Sequence, residues 1–240
     1  WTLTNVRGCS EVEMRVILRE VENSYHICKN MVYSQTSGAP SGNQMTSVIN
    51  SLVNMAYIYV AWVRLEGPAI AKRGMSCGQE FKRCVHLCVY GDDLIMSVSG
   101  HPGFNGITIT DFFKEYGIVA TDAQKSGAIK ATVPFGEAEF LKRKFRWSEE
   151  RRLWVSKLRE ETLRATTQWV WKSPNRDAST LVNCDVAVMN AHGHGPQFFD
   201  EFKTTVNKAL TRRNIDTVTW TWKEVDDLFF DNDYINKLWM

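Results

Sequence analysis

Val89-Tyr90-Gly91-Asp92-Asp93-Leu94-Ile95 is the stretch that decides the fold of this chain. Apolar residues lead into it and out of it, and a glycine with two adjacent carboxylates stands between them. This pattern predicts two short buried strands joined by a hairpin turn, with Gly-Asp-Asp at its tip. Adjacent aspartates repel each other and are costly to bury without a cation. Because oxygen ligands suit hard divalent ions, the pair indicates a Mg²⁺ or Mn²⁺ site, and a solvated glycine turn is the alternative.

The composition limits the classes of protein that this chain can belong to. It has 240 residues, 44% of them hydrophobic, which suits one large domain or two small ones. The formal net charge is only +2, so any nucleic-acid surface must be local. The six cysteines show no regular framework, and reduced thiols in a cytosolic setting are expected. No apolar run approaches the ~20 residues of a membrane span, so no transmembrane segment is predicted.

A glycine-rich loop and a long helix precede the aspartate pair. Two glycines and a proline between residues 37 and 42 exclude a regular element there. From about residue 43 to residue 64 a wide apolar face repeats at helical spacing, while Thr46, Asn50 and Asn54 recur four residues apart. Such loops let a backbone approach a ligand closely, which favours a binding loop that leads into a polar helix stripe. An ordinary loop before a core helix is the alternative.

A basic hairpin is predicted from residues 140–147 and 153–157. Between Lys142 and Arg152 there are six Lys or Arg against two Glu, and the aromatic residues Phe145, Trp147 and Trp154 lie within the hairpin. That composition suits contact with a nucleic-acid backbone, although a solvated charged hairpin has the same pattern.

The remaining pattern is mainly helical. Thr110 is predicted to cap a helix that Gly117 closes, and residues 118–121 are predicted to form a strand. Further helices are predicted near residues 158–169, 177–191, 196–212 and 222–230. The chain begins with helices and strands and continues with a helical part. This order predicts an α+β fold with a helical subdomain.

Cysteine and histidine residues offer a further candidate site. Cys84, His86 and Cys88 alternate along one predicted strand, with Cys77 nearby, but their spacing is unlike that of zinc knuckles. Because cysteine is common in protein cores, plain core residues are the preferred interpretation and a structural zinc is the alternative. His101, before a proline at a strand end, is predicted to be exposed.

Four segments, in order, resemble the palm motifs of viral RNA-dependent RNA polymerases of the picornavirus-like group. They are Ser37-Gly38-Ala39-Pro40-Ser41-Gly42 with Thr46, Asn50-Ser51 and Asn54; Tyr90-Gly91-Asp92-Asp93; residues 116–126; and residues 140–146. Residues 164–176 are similar to the start of that group's thumb. The resemblance covers nearly the whole chain from about residue 33. It implies a right-hand palm, an antiparallel sheet with packed helices, over residues 1–157, with its catalytic core reaching to about residue 100. A mostly helical thumb would follow over residues 158–240.

The resemblance also implies an activity, the RNA-templated synthesis of RNA that replicates a positive-strand RNA virus genome. A primer 3′-hydroxyl would attack the α-phosphate of a nucleoside triphosphate with the help of two Mg²⁺ or Mn²⁺ ions. Asp92 would be a direct metal ligand and Asp93 a weaker one. Lys125 resembles the family's general acid, which protonates the departing pyrophosphate.

Further residues are implied to contact nucleotide and RNA. An amide both donates and accepts, so Asn50, in one network with Ser41 and Thr46, would read the ribose 2′-hydroxyl. The residues implied to contact RNA or primer are Gly42, Lys142, Arg143 and Lys144. Template and primer RNA are implied partners, together with a protein primer and other viral replication proteins. The implied location is the host cytoplasm, at membrane-associated replication complexes.

No aspartate precedes Asp92 in this chain. The resembled family requires an earlier motif with two aspartates, the first of which bridges both metals. The chain is therefore expected to be the C-terminal portion of a polymerase, without the fingers and the first palm motif. That missing portion would be a required partner, and the isolated chain is predicted not to polymerise.

Two other functions fit parts of the sequence. A reverse transcriptase also places Tyr-x-Asp-Asp on a palm hairpin, but it excludes the 2′-hydroxyl with a bulky side chain rather than reading it with an amide such as Asn50. A non-catalytic RNA-binding module would use the basic hairpin, but it leaves the aspartate pair unexplained.

Overall fold

The computed structural model describes residues 10–36 and 45–230. Most of the predicted glycine-rich loop, with Ser41 and Gly42, lies outside the described residues. The chain divides into two compact units, Trp1–Ala120 and Thr121–Met240. This boundary falls inside the segment predicted as palm, and the predicted palm–thumb division after residue 157 stays a prediction.

The first unit contains five helices and four strands within the described residues. They are α1 (Glu11–Glu22), β1 (Ser24–Cys28), β2 (Met31–Gln35), α2 (Thr46–Leu65), α3 (Gly67–Lys72), α4 (Cys77–Cys84), β3 (Val85–Tyr90), β4 (Asp93–Val98) and α5 (Gly106–Glu115). A capping box begins α1, because Ser10 Oγ accepts from the Glu13 N–H while the Glu13 carboxylate accepts from the Ser10 N–H. β1 and β2 form an antiparallel hairpin.

The core of the first unit is built around α2. Trp62, on the last turns of this helix, is fully buried. Its indole Nε1 donates to the Cys77 carbonyl over 3.1 Å, and Phe81, His101 and Phe104 meet its ring edge to face. An indole buries a large apolar area and still satisfies its N–H, so this residue ties α2 to α4 and to the loop after β4.

The two ends of α5 each correct one prediction. Asn105, not Thr110, caps the helix, because its side chain accepts from the N–H groups of Ile107 and Thr108. At the other end Gly117, at φ +71°, closes the helix as predicted. There the Ile118 N–H donates back to the Phe113 carbonyl, which ties the next residue to the helix end. Residues 118–121 consequently form no strand.

The second unit contains one strand pair and four α-helices within the described residues. They are β5 (Arg143–Ser148), β6 (Leu153–Leu158), α6 (Glu160–Thr166), α7 (Arg176–Ala191), α8 (Pro196–Thr211) and α9 (Trp222–Phe230), with 3-10 turns at Phe135–Glu137 and His192–His194. The helices agree closely with the predicted ones, because their apolar faces at helical spacing form the core.

A close approach fixes the corner between α7 and α8. Gly193 packs so tightly against β6 that a Cβ atom there would overlap the Ser156 carbonyl. Beside it, Asp226 on α9 pairs with the buried His192 and with Arg151 in the β5–β6 turn. The glycine and this charged group dock the helices onto the hairpin.

The strands form three separate antiparallel pairs within the described residues, β1–β2, β3–β4 and β5–β6. The resemblance implied a palm with an antiparallel sheet, and the structure shows the antiparallel strands as these separate pairs. Residues 118–121, predicted as a further strand, are irregular, so they extend none of these pairs. The content is nevertheless mixed helix and antiparallel sheet, as expected.

Helix α2 also bears on the prediction that no segment spans a membrane. By length and composition alone it could cross a membrane, with a mean hydropathy of 1.3. Its polar residues, among them Asn50 and Asn54, do not keep that mean below the level of a candidate span. The core helices of soluble proteins meet the same criterion, so this is weak support for a span.

Candidate functional site

The aspartate pair lies at the tip of the β3–β4 hairpin. Tyr90 pairs with Asp93 in the antiparallel register, which leaves Gly91 and Asp92 as a two-residue turn. Gly91 adopts φ +62°, while the φ of Asp92 is not positive. Glycine at the first central position is the requirement of a type II′ turn, whose twist matches the flanking strands. The Gly-Asp-Asp sequence therefore folds into a tight hairpin because only glycine adopts this turn without strain.

Two side chains of α2 hold the backbone of this tip. Ser51 Oγ accepts from the Gly91 N–H at 2.8 Å, and its own hydroxyl donates to the Ser47 carbonyl at 2.6 Å. One turn further along, Asn54 Nδ2 donates to the Asp92 carbonyl at 3.1 Å and lies 3.5 Å from the Gly91 carbonyl. These bonds satisfy the backbone of the tip, which leaves the two carboxylates free to bind elsewhere.

Both aspartates are exposed, and the two strands are largely half-buried: β3 alternates between buried or half-buried and exposed residues, while β4 has three consecutive half-buried residues between exposed Asp93 and Ser97. This corrects the expectation of two buried strands, since one face of each strand carries polar or exposed residues. The donor set consists of carboxylate oxygens on adjacent residues, presented to solvent by a fixed backbone. Hard divalent cations favour such oxygen ligands, so Asp92 and Asp93 fit a magnesium or manganese ion.

The predicted ribose-reading residues are partly described. Thr46 and Asn50 are half-buried on α2, while Ser41 and Gly42 lie outside the described residues. Residues four apart lie on one side of a helix, separated by one turn of ~5.4 Å. Asn50 is therefore on the same side as Asn54, which contacts the hairpin tip, and lies one turn nearer the start of α2.

Lys125 projects from a tight loop in the second unit. The Asp122 carboxylate organises this loop, because it accepts from the Gly127 N–H at 3.0 Å and from the Ser126 hydroxyl at 2.9 Å. Burial raises the pKa of Asp122, but these bonds and one from the Gln124 N–H outweigh it and lower that pKa overall. Lys125 itself is exposed with φ +54°. The sequence thus builds a turn that presents an ammonium group to solvent.

The basic hairpin separates its cations into two groups. Lys142 and Lys144 are exposed, and Lys157 lies opposite Lys144 in the register of β5 and β6. Arg143 instead points to α7, where its Nη2 donates to Asn190 Oδ1 over 2.7 Å, and burial lowers its pKa. The exposed Lys142 and Lys144, with the half-buried Lys157 opposite Lys144, therefore form one basic patch, of which the sequence-based prediction had named only Lys142 and Lys144.

Comparison with known proteins assigns the family. A family model described as "Viral RNA-dependent RNA polymerase" matches residues 7–211. This chain belongs to the viral RNA-dependent RNA polymerases. The match spans both units of the structure and includes the hairpin tip, the Lys125 loop and the basic hairpin.

Relatives of this polymerase chain occur in viral polyproteins. The genome polyprotein of Deformed wing virus is 30% identical over 233 residues, which is 94% of this chain and 8% of the polyprotein. The replicase polyprotein of Acute bee paralysis virus is 30% identical over 82% of the chain and 11% of the polyprotein. The RNA1 polyprotein of Satsuma dwarf virus is 28% identical over 84% of the chain. The chain thus spans about a tenth of the length of these relatives.

A solved polymerase shares the fold of this chain. The structure described as "Sicinivirus 3Dpol RNA dependent RNA polymerase" matches with a TM-score of 0.68 at 19% identity. The match covers 89% of this chain and 42% of the solved one. A palm-type polymerase fold is therefore confirmed, as is the resemblance to the picornavirus-like group.

Sequence reasoning missed the two residues that fix the polymerase hairpin. Ser51 and Asn54 were noted on the helix, but Asn50 was singled out from the resemblance. The polar stripe at four-residue intervals was the available signal, since a polar face on an apolar helix needs a polar neighbour. The hairpin backbone supplies that neighbour.

The structure also tests the predictions made for the cysteine and histidine residues. The interpretation as core residues is confirmed for Cys84, which is buried at the end of α4, but it is wrong for His86 and Cys88, which are exposed on β3. The prediction that His101 is exposed is wrong. Its ring is buried between the carboxylates of Glu66 and Glu80, which replace the hydrogen bonds that water would supply.

Proposed function

We propose that this chain supplies the catalytic hairpin for RNA-templated RNA synthesis in the replication of a positive-strand RNA virus. The observation that carries the proposal is the hairpin tip, whose backbone is bonded to Ser51 and Asn54 while Asp92 and Asp93 face solvent. A fixed backbone with free carboxylates is what nucleotidyl transfer needs, since catalysis of phosphoryl transfer is mainly positioning and charge stabilisation.

The aspartates would hold Mg²⁺ or Mn²⁺, with Asp92 as the direct ligand and Asp93 as the weaker one. Two such ions, when bound, stabilise the attacking and leaving oxygens of an in-line displacement. The protein's own part is to keep both carboxylates at one place. The type II′ turn and the α2 contacts do this without engaging a carboxylate oxygen.

Nucleotide selection is proposed for the side of α2 that faces the hairpin tip. Asn50 would exchange hydrogen bonds with the ribose 2′-hydroxyl, in one network with Thr46 and Ser41. Gly42 would give the preceding loop the freedom to move as the RNA advances. The position of Asn50 one turn before the tip-bonded Asn54 supports this role.

Lys125 is proposed as the general acid for the leaving pyrophosphate, because it is exposed at the apex of the Asp122-organised loop. Lys142, Arg143 and Lys144 are proposed to contact the primer or template RNA. The exposed lysines suit phosphate contact directly, while the bond from Arg143 to Asn190 also stabilises the hairpin.

The wider setting follows from the family. We propose a partial palm over residues 1–157 and a thumb over residues 158–240. The partners would be template and primer RNA, nucleoside triphosphates, the remaining fingers and palm of the same polymerase, a protein primer and other replication proteins. The location would be the host cytoplasm, at membrane-associated replication complexes. The polyprotein relatives support such a setting.

The test is primer extension by a polymerase that contains this chain together with its upstream segment. Asp92→Asn should lower nucleotide incorporation by about 1,000-fold, because several kcal/mol of metal-mediated charge stabilisation is lost. The spectrum of bound Mn²⁺ in electron paramagnetic resonance should weaken in parallel, while RNA affinity stays nearly constant. Asp111→Asn, an exposed aspartate on α5, is the matched control and should leave both unchanged.

Three results would contradict the proposal. Full activity in Asp92→Asn would remove the hairpin from the chemistry. Loss of RNA binding without loss of Mn²⁺ would favour a binding module. A preference for deoxyribonucleotides in the parent enzyme would favour a reverse transcriptase.

A further inference from the structure

Four side chains converge at the base of the β3–β4 hairpin, at the end away from the aspartates. Cys84 ends α4 directly before β3, and Glu80 lies one turn earlier on the same helix. His101 follows β4, and Glu66 ends α2. A six-residue strand spans ~20 Å, so this cluster is well separated from the catalytic tip.

The three innermost residues are almost fully buried. The exposed fractions are 2% for Glu80, 1% for Cys84 and 5% for His101. A carboxylate, a thiol and an imidazole seldom share a buried place by packing alone, because each brings a polar or ionisable group out of water. Their presence together calls for a compensating group.

The distances match those of a transition-metal site. His101 Nε2 lies 3.2 Å from Glu80 Oε1, and Cys84 Sγ lies 3.6 Å from the same oxygen. One ligand atom from each residue lies within 4.8 Å of the other two. In a tetrahedral zinc site the bond lengths place O and N ligands about 3.4 Å apart and O and S ligands about 3.6 Å apart. Two of the three ligand separations therefore already match those around one ion, and the third is within 4.8 Å.

A fourth residue orients the histidine. Glu66 Oε2 lies 2.7 Å from His101 Nδ1, on the side of the ring away from Glu80. A carboxylate that accepts from one ring nitrogen fixes the tautomer and directs the other nitrogen's lone pair to a metal. The edge of Trp62, with ring centroids 4.6 Å apart, keeps the imidazole from turning.

We propose that Glu80, Cys84 and His101 bind one Zn²⁺ ion, with Glu66 as the carboxylate that positions His101. The mixed N, S and O donor set favours zinc over the hard ions of the catalytic hairpin. The ion joins α4 to the loop after β4 and so clamps the base of the hairpin. This proposal does not depend on the polymerase activity.

Arg83 is the competing partner of Glu80. Its guanidinium donates to both Glu80 oxygens, at 2.6 and 3.0 Å. The Arg83 side chain is 68% exposed, so it can leave one oxygen to the metal at little cost. The rival arrangement is a metal-free network in which His101 bridges the two glutamates by hydrogen bonds.

Metal content distinguishes the two arrangements. The full 240-residue chain, purified under reducing conditions and stripped with chelator, is titrated with ZnCl₂ against a chromophoric competitor. We expect one equivalent of tightly bound Zn²⁺ and a rise in melting temperature. Co²⁺ in place of Zn²⁺ should give a single-thiolate charge-transfer band and the visible bands of tetrahedral cobalt.

Variants assign the site. Cys84→Ser and His101→Gln should abolish the one-equivalent binding, and Glu66→Gln should weaken it by about 10- to 100-fold. His86→Gln and Cys88→Ser change exposed residues on β3 close to Cys84 in the sequence and should keep full binding. If Cys84→Ser does not fold, the cobalt spectrum of the parent chain and the zinc titration of Glu66→Gln still show whether the metal binds at this site.

Two results would overturn the proposal. The first is a chain that binds no Zn²⁺ at micromolar concentration, which would establish the metal-free network. The second is binding that survives Cys84→Ser or is lost in Cys88→Ser, which would place the metal elsewhere.

Discussion

Ser51 is one of the two residues of α2 that bond the backbone of the hairpin tip. Its hydroxyl is the acceptor for the N–H of Gly91, a buried residue at the turn of the hairpin. A buried backbone donor that loses its partner costs more than the hydrogen bond was worth, because the group stays desolvated. The identity of residue 51 therefore affects both stability and the position of Asp92.

Replacing this serine tests that dependence. Ser51→Ala should lower the free energy of unfolding by ~1–3 kcal/mol, since the Gly91 N–H is left unsatisfied. Urea denaturation of the chain measures the change. Ser97→Ala on the exposed side of β4 is the matched control, with an expected change within about 0.5 kcal/mol. Equal effects of the two substitutions would show that the Ser51 bond does not hold the tip.

His192 gives the second unit a dependence on pH. It is buried, its Nε2 lies 2.8 Å from Asp226 Oδ1, and its ring stacks on Trp222. Burial lowers the pKa of His192 below its ordinary value of 6.5, with Arg146 and Arg151 acting in the same direction, and Asp226 offsets part of this. The neutral ring is thus the form that the fold favours.

The sign of the pH effect follows from proton uptake on unfolding. Below the ordinary pKa the unfolded chain binds a proton at residue 192 that the folded chain takes up only at lower pH, so stability falls as pH decreases from about 6.5. Chemical denaturation between about pH 5.5 and 7.5 should show this decrease, and His192→Gln should reduce its slope. His86→Gln on the exposed face of β3 should leave the slope unchanged. An unchanged slope in His192→Gln would contradict the assignment.

The helices of the second unit were predictable because each carries a local signal. The apolar faces of α7, α8 and α9 repeat at helical spacing, and the structure places these helices within one or two residues of the predicted bounds. The strand predicted over residues 118–121 failed because the closure of α5 on Gly117 turns the following backbone back to Phe113. The propensity of these residues for extended structure gives no indication of the bond from the Ile118 N–H to the Phe113 carbonyl.

In the candidate site, too, features with a local sequence signal were predictable and contacts between distant residues were not. Asp92 and Asp93 were evident from sequence because their adjacency at a glycine is itself the unusual feature. The contacts of Ser51 and Asn54 join residues 37 to 40 positions apart. The burial of His101 likewise depends on Glu66 and Glu80, which only the folded chain brings to it.

The basic hairpin β5–β6 is the element whose charge pattern makes a quantitative prediction. Lys144 and Lys157 face each other across the strands, and Lys142 lies in the preceding turn. Like charges directly opposite each other destabilise a strand pair. A bound phosphate backbone would relieve this repulsion. The patch is therefore better explained by a role in binding RNA than by a role in stabilising the fold.

Salt dependence measures the phosphate contacts of this patch. Each of Lys142→Ala, Lys144→Ala and Lys157→Ala should weaken RNA binding and reduce the slope of log affinity against log salt by ~0.7–0.9. Fluorescence anisotropy with a labelled primer–template RNA at several salt concentrations gives both quantities. Lys208→Ala, an exposed lysine on α8, is the control. A slope that responds equally to all four substitutions would indicate nonspecific attraction rather than a defined groove.

The molecule as a whole consists of two units with separate cores. One core surrounds Trp62 and the other surrounds Phe199, and each is made of residues from a single unit. No local pattern marks the division after Ala120, because it arises from contacts between residues far apart in sequence. The aspartate hairpin belongs to the first unit, and Lys125 belongs to the second.

The last prediction concerns what the 240 residues do on their own. No aspartate precedes Asp92 in the sequence, and the chain covers 42% of the solved polymerase that it matches. Two ions need more carboxylate ligands than the aspartate pair provides, because Asp92 is proposed as a direct ligand and Asp93 only as a weaker one. We therefore expect the isolated chain to bind RNA through the basic hairpin but to incorporate no nucleotide.

Primer extension decides this last point. The isolated chain should give no Mg²⁺- or Mn²⁺-dependent extension, while the same chain extended through the upstream segment of its own genome should be active. Anisotropy on the same preparation confirms that the inactive chain still binds RNA. Metal-dependent synthesis by the isolated chain, if it disappears in Asp92→Asn, would contradict the prediction. The hairpin would then hold a sufficient metal site by itself.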